Sequence, residues 1–81
     1  MKITLVAYAV IKDAFPENPM DYEITQETTA AELMTLLAKD FPEISTILPY
    51  TRLGHQDEYV SKTAKLTENN TYFLIPPVSG G

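Results

Sequence analysis

Side chains alternate over residues 2–9, where Ile3, Leu5 and Ala7 share one face and Lys2, Thr4, Val6 and Tyr8 the other. A period of two predicts a first β-strand with one face turned to a core. Residues 10–19 break the alternation with Lys12, Asp13, Pro16, Asn18 and Pro19, and read as a mobile hairpin connection. Alternation returns as Met20, Tyr22 and Ile24 against Asp21, Glu23 and Thr25, a half-buried edge strand. Thr29 and Glu32 then have the spacing of a capping box, in which each side chain satisfies a free amide of a first helical turn. The helical period follows. Ala30, Leu33, Met34, Leu37 and Phe41 form one stripe, Glu32, Thr35 and Lys39 lie opposite, and Pro42 stops the helix. In so small a domain that stripe is needed for the core and is not a docking groove.

Residues 41–49 read as a loop with room for a short helical turn that buries Ile44, Ile47 or Leu48. Two short strands are predicted at 50–53 and 59–60, joined by a turn over 54–58. Leu66 plugs the core from a loop. Glu68, Asn69 and Asn70 make a second turn, since asparagine tolerates positive φ better than most residues. Residues 71–75 form the last strand. The order strand, strand, helix, short strands, strand is a two-layer α+β solution that fits the ubiquitin-like β-grasp, a mixed sheet with one helix packed on one face. In that arrangement the first and last strands lie side by side and parallel at the centre.

Length and composition narrow the function. With 81 residues the chain has room for one core and no enclosed pocket. Eleven acidic against six basic side chains give a net charge of -5, which repels phosphate backbones and anionic membranes, so no nucleic acid and no membrane is expected as partner. A basic protein surface fits better. No apolar run approaches the roughly 20 residues of a membrane span, and the start at Met1 opens a strand pattern and not a signal peptide, which points to the cytoplasm. Cysteine is absent, removing disulfides, thiolate nucleophiles and cysteine metal sites. His55, the single histidine, falls in the predicted turn near Asp57 and reads as a solvated turn residue. No metal site is expected, and Ser45, Ser61 and Ser79 lack a nucleophile-elbow context. The chain reads as no enzyme on its own.

The last strand is apolar on both faces: Tyr72, Phe73, Leu74 and Ile75 follow one another. If Tyr72 and Leu74 turn to the helix with Ile3 and Leu5, then Phe73 and Ile75 point outward beside Val6 and Tyr8. Such a patch marks a protein interface, unless a loop covers that face. The strand runs straight into Pro76, Pro77, Val78, Ser79, Gly80 and Gly81. Two prolines fix φ and remove two donors, so the segment continues neither sheet nor helix. At about 3.1 Å per residue, residues 77–81 would carry a terminal carboxylate roughly 15 Å from the body. Gly80 and Gly81, without Cβ, would pass a channel too narrow for a side chain. The chain therefore divides into a β-grasp domain at 1–75 and an extended tail at 76–81.

The ending Pro-Pro-Val-Ser-Gly-Gly, together with Glu58-Tyr59-Val60 and the run from Leu66 to Gly81, resembles the small, sulfur-carrying subunits of molybdopterin synthase, in the MoaD/ThiS family of ubiquitin-like proteins. The resemblance implies that Gly81 is adenylated by an activating enzyme, converted to a thiocarboxylate, and gives its sulfur to cyclic pyranopterin monophosphate to form the molybdopterin dithiolene. It implies as partners the synthase large subunit, in a heterotetramer, and the adenylating and sulfurating enzyme. No cofactor is held by this chain, and ATP is used by the activating partner. Val6, Tyr8, Phe73, Ile75, Pro76, Pro77, Val78, Ser79 and Gly80 would then meet the partners. The middle departs from the family's pattern, with Gly54-His55-Gln56-Asp57 before the Glu-Tyr-Val element and Asn69-Asn70 where Gly-Asp is usual. Carriers for thiazole or tRNA thiolation share mainly the final diglycine. A ubiquitin-like protein modifier, or an interaction module with an incidental ending, are the other readings.

Overall fold

A computed structural model describes residues 1–77, so the tail positions Val78, Ser79, Gly80 and Gly81 lie outside the described residues. The elements run β1 (Lys2–Ala7), α1 (Ala9–Ala14), β2 (Met20–Glu23), α2 (Ala30–Asp40), β3 (Arg52–His55), β4 (Glu58–Tyr59) and β5 (Thr71–Ile75), with 3-10 turns at Pro42–Ile44 and Leu48–Tyr50. The sheet order is β2-β1-β5-β3-β4. β1 and β5 are parallel at the centre, and the other pairs are antiparallel. This is the ubiquitin-like β-grasp that the order of elements predicts.

One sheet face and α2 make the core. Ile3, Leu5, Leu33, Leu37 and Leu74 are fully buried, with Tyr72, Leu53 and Leu66 almost so. Burying each such aliphatic side chain is worth about 1.5–3 kcal/mol, so this layer dominates stability. The capping box forms as predicted, with the Glu32 amide donating to Thr29 Oγ1 at 3.2 Å and the Thr29 amide donating to Glu32 Oε1 at 2.9 Å. The next free amides, Ala30 and Ala31, donate to the carbonyls of Ala64 and Lys62, each at 3.0 Å. The helix start is thereby satisfied and tied to the loop after β4. Leu66 sits in the core from that loop, its amide donating to the Thr28 carbonyl at 2.9 Å.

Residues 10–19 differ from the hairpin connection that was expected. β1 stops at Ala7, and the chain turns sharply at Ala9, whose φ is 53°. A short helix follows that drives Ile11 into the core, and Phe15 after it packs on Phe41 with ring centroids 4.9 Å apart. The Asn18 side-chain amide bonds both backbone groups of Ala7, at 2.8 and 3.0 Å, standing in for the strand partner that β2 does not supply there. Residues 54–58 differ too. The turn shrinks to Gln56 and Asp57, both at positive φ (49° and 66°), as a two-residue hairpin of the primed type requires. Gly54 and His55 belong to β3 and Glu58 to β4, while Tyr50 closes a 3-10 turn. Asn69, at φ 69°, makes the expected second turn.

Candidate functional site

The outer sheet face is built by register. Val6 pairs with Phe73, Phe73 pairs with Gly54 on its other side, and Arg52 pairs with Ile75. Strand side chains alternate, so placing Tyr72 and Leu74 in the core sends Phe73 and Ile75 outward. The sequence-predicted set Val6, Tyr8, Phe73 and Ile75 therefore does come together. Tyr8 stacks on Phe73, with centroids 6.4 Å apart and ring planes 15° from parallel. Val6, Phe73 and Ile75 are half-buried and Tyr8 is 47% exposed, so no loop among the described residues closes over the face. Pro76 is half-buried and Pro77 is exposed.

The face is a groove of about 440 Å³, with Tyr8, Phe73, Ile75 and Tyr59 as its apolar lining and Gly54, His55, Asp57 and Glu58 completing it on the hairpin side. Gly54 makes its floor. A Cβ there would lie 3.2 Å from Ile75 Cδ1 and 3.8 Å from Phe73 Cβ, so the missing side chain lets those two pack close over β3. Tyr59, 58% exposed, closes one wall, and the Arg52 guanidinium lies 4.0 Å above its ring. Sequence reasoning missed Gly54, Arg52 and Tyr59. The signal was the two-residue turn, which sets Tyr59 opposite Gly54 and hence on the outer face.

His55 is a correction. It is half-buried at the end of β3, where Nδ1 donates to the Thr71 carbonyl at 3.1 Å and the ring packs 5.1 Å from that of Tyr72. It fastens β3 to β5 and is not a solvated turn residue. The Tyr72 hydroxyl accepts from the Thr67 amide at 2.9 Å, so the core tyrosine also anchors the loop before β5. Among the described residues no cluster of three or more His, Asp or Glu side chains could hold a metal ion, and no helix is long and apolar enough to cross a membrane.

A ubiquitin-like β-grasp protein whose central strand ends beside a groove of aromatic and acidic residues and leads into a diglycine sequence is the class that these features define. Within that class, the chain resembles the sulfur carrier subunits of molybdopterin synthase along nearly its whole length. It is 29% identical over 80 residues to the molybdopterin synthase sulfur carrier subunit of Dictyostelium discoideum, covering 95% of this chain and 93% of that one. No family model matches. Among solved structures, the putative molybdopterin converting factor subunit 1 of Pyrococcus furiosus superposes with a TM-score of 0.82 at 14% identity, covering 95% of this chain and 98% of that one. SAMP1 of Haloferax volcanii gives 0.79 at 15% identity over all of both chains. A chain from the complex of molybdopterin-converting factor subunits 1 and 2 of Helicobacter pylori gives 0.64 at 20%, again over all of both. At these identities the structural likenesses establish the fold.

Proposed function

We propose that the chain is the sulfur carrier subunit of a molybdopterin synthase, with residues 1–75 as platform and residues 76–81 as the tail that carries sulfur. The observation that carries this reading is the likeness over 95% of the chain to a sulfur carrier subunit. Ile75 lines the Tyr8–Phe73 groove and Pro76 and Pro77 follow it directly in the chain, which supports the reading, because a partner gripping the groove also receives whatever follows Pro77. A carboxylate is a poor electrophile. When a partner enzyme uses ATP to join the Gly81 carboxylate to AMP, pyrophosphate leaves; a sulfur nucleophile then displaces AMP to give the thiocarboxylate. That group delivers sulfur to cyclic pyranopterin monophosphate inside the large subunit. This chain contributes no acid, base or metal to those steps; it presents the terminus and docks in the cytoplasm with two partners in turn.

The fold neighbour described as a small archaeal modifier protein favours a second reading, in which Gly81 forms isopeptide bonds with lysines. Intact-protein and C-terminal-peptide mass spectrometry on the chain from its native cells separates the two. The expected result is one oxygen replaced by one sulfur, mapped to Gly81 by exact mass, since methionine oxidation gives nearly the same nominal shift. Lysine adducts in place of that species would give the modifier reading. A free carboxylate in every preparation, with activating enzyme and sulfur source present, would end both.

A further inference from the structure

A second groove, of about 390 Å³, lies between the N-terminal half of α2 and the β3–β4 hairpin, lined by Met34, Leu48, Pro49 and Val60 and flanked by Arg52 and Lys62. Its size falls in the range of roughly 300–1,000 Å³ typical of binding clefts. Tyr59, with Arg52 over its ring, forms the ridge between this groove and the one on the outer face. The two sides of that ridge differ in sign. The outer groove has Asp57 and Glu58 beside it, whereas Arg52 and Lys62 border the second.

In a chain of net charge -5 with six basic residues, that placement is informative. Lys2 pairs with Asp21 and Lys65 with Glu27; Lys12, Lys39, Arg52 and Lys62 have no carboxylate partner among the described residues, and of these Arg52 and Lys62 border this groove. The helix amides at this end, Ala30 and Ala31, are already bound to the Ala64 and Lys62 carbonyls, so positive charge at the groove comes from the Arg52 and Lys62 side chains and not from free amides of that helix end. Apolar walls between two uncompensated cations fit an aliphatic segment that carries a carboxylate.

We propose that this groove docks a segment of a partner protein in which an acidic residue is set among aliphatic ones, across the Tyr59 ridge from the surface proposed for sulfur delivery. The aliphatic side chains fill the trough over Met34 and Val60, and the carboxylate meets Lys62 and Arg52. A second copy of this chain is a poorer occupant, because two bodies each of charge -5 repel.

The test is an NMR titration of the full-length, isotope-labelled chain with the blocked peptides Leu-Glu-Leu-Leu and Leu-Lys-Leu-Leu. The acidic peptide is expected to shift the amides of Met34, Val60 and Lys62 while those of Val6 and Phe73 stay in place. It should bind about five-fold more tightly than the lysine peptide, the upper end of what one exposed ion pair provides. Lys62→Glu, at an exposed position, should reverse that preference, and an unchanged far-ultraviolet spectrum would show the variant folded. Equal binding of the two peptides, shifts on the outer face alone, or no saturable shift would overturn the proposal. Groove shifts that grow with chain concentration before any peptide is added would also overturn it, in favour of a second copy.

Discussion

The two faces of β5 carry similar side chains to opposite ends. Tyr72 and Leu74 are 3% and 0% exposed beneath α2, whereas Phe73 and Ile75 are half-buried on a face that no helix among the described residues covers. Composition does not distinguish them; neighbours do. The inner pair is enclosed by Ile3, Leu5 and Leu53, while the outer pair borders a glycine floor and two exposed tyrosines. An apolar side chain held half out of the core gives up part of its transfer free energy unless a partner completes the burial. The inner face therefore holds the fold, and the outer face is the one we propose meets a partner.

The sharpest test of that division is Leu74→Ala, which should cost about 2–5 kcal/mol in denaturant unfolding, as deletion from a packed core does. A loss below 1 kcal/mol would erase the distinction. Next, Phe73→Asp should weaken the large-subunit complex by about 2 kcal/mol, a hot-spot value, in calorimetric titration, and cost the fold less than that. Collapse of the fold would move Phe73 into the core. Gly54→Ala should leave stability within about 0.5 kcal/mol, because the 3.2 Å contact is with the mobile end of Ile75, yet it should reduce partner affinity by filling the groove floor. At the rim of the inner face, the Tyr22 hydroxyl donates to Asp40. Burial, then loss of that bond and repulsion by the Asp40 charge, hold the phenol well above its ordinary value of 10.0. Since the folded pKa is raised, its contribution is present below pH 10 and lost as pH rises through the folded value. Alkaline melts should therefore fall more steeply above that pH for the native chain than for Tyr22→Phe. Smallest of all, deleting Gly81 should leave the melting temperature unchanged while abolishing sulfur transfer.

Much of the platform was legible because its signals are long or paired. The α2 stripe spans the whole helix and opens on a capping box; β1 and β2 alternate cleanly, β5 is an unbroken apolar run, and Asn69 announces its own turn. α1 was not legible, since a six-residue helix without a side-chain cap shows less than two turns of period, and Lys12 and Asp13 mask it. Its trace was Ile11 and Phe15, four positions apart and both buried. His55 was misread because Gly54 interrupts the alternation of β3 and leaves no apolar partner to continue the strand. Of the candidate site, Val6, Tyr8, Phe73 and Ile75 could be placed from strand parity alone. Arg52, Gly54 and Tyr59 needed the hairpin register, which a turn of Gln56 and Asp57 does not advertise as Asn-Gly would.

The central place of β5 also has a mechanical meaning. It is hydrogen-bonded to β1 on one side and β3 on the other. A force applied at Pro77 acts along the strand, across both ladders, so the rungs to β1 and β3 bear it together in shear. An edge strand such as β4, pulled away sideways, would open one rung at a time. A partner that draws the end of this chain into its own active site is thus pulling on the strand that yields last, and the β-grasp can be tugged without being unravelled.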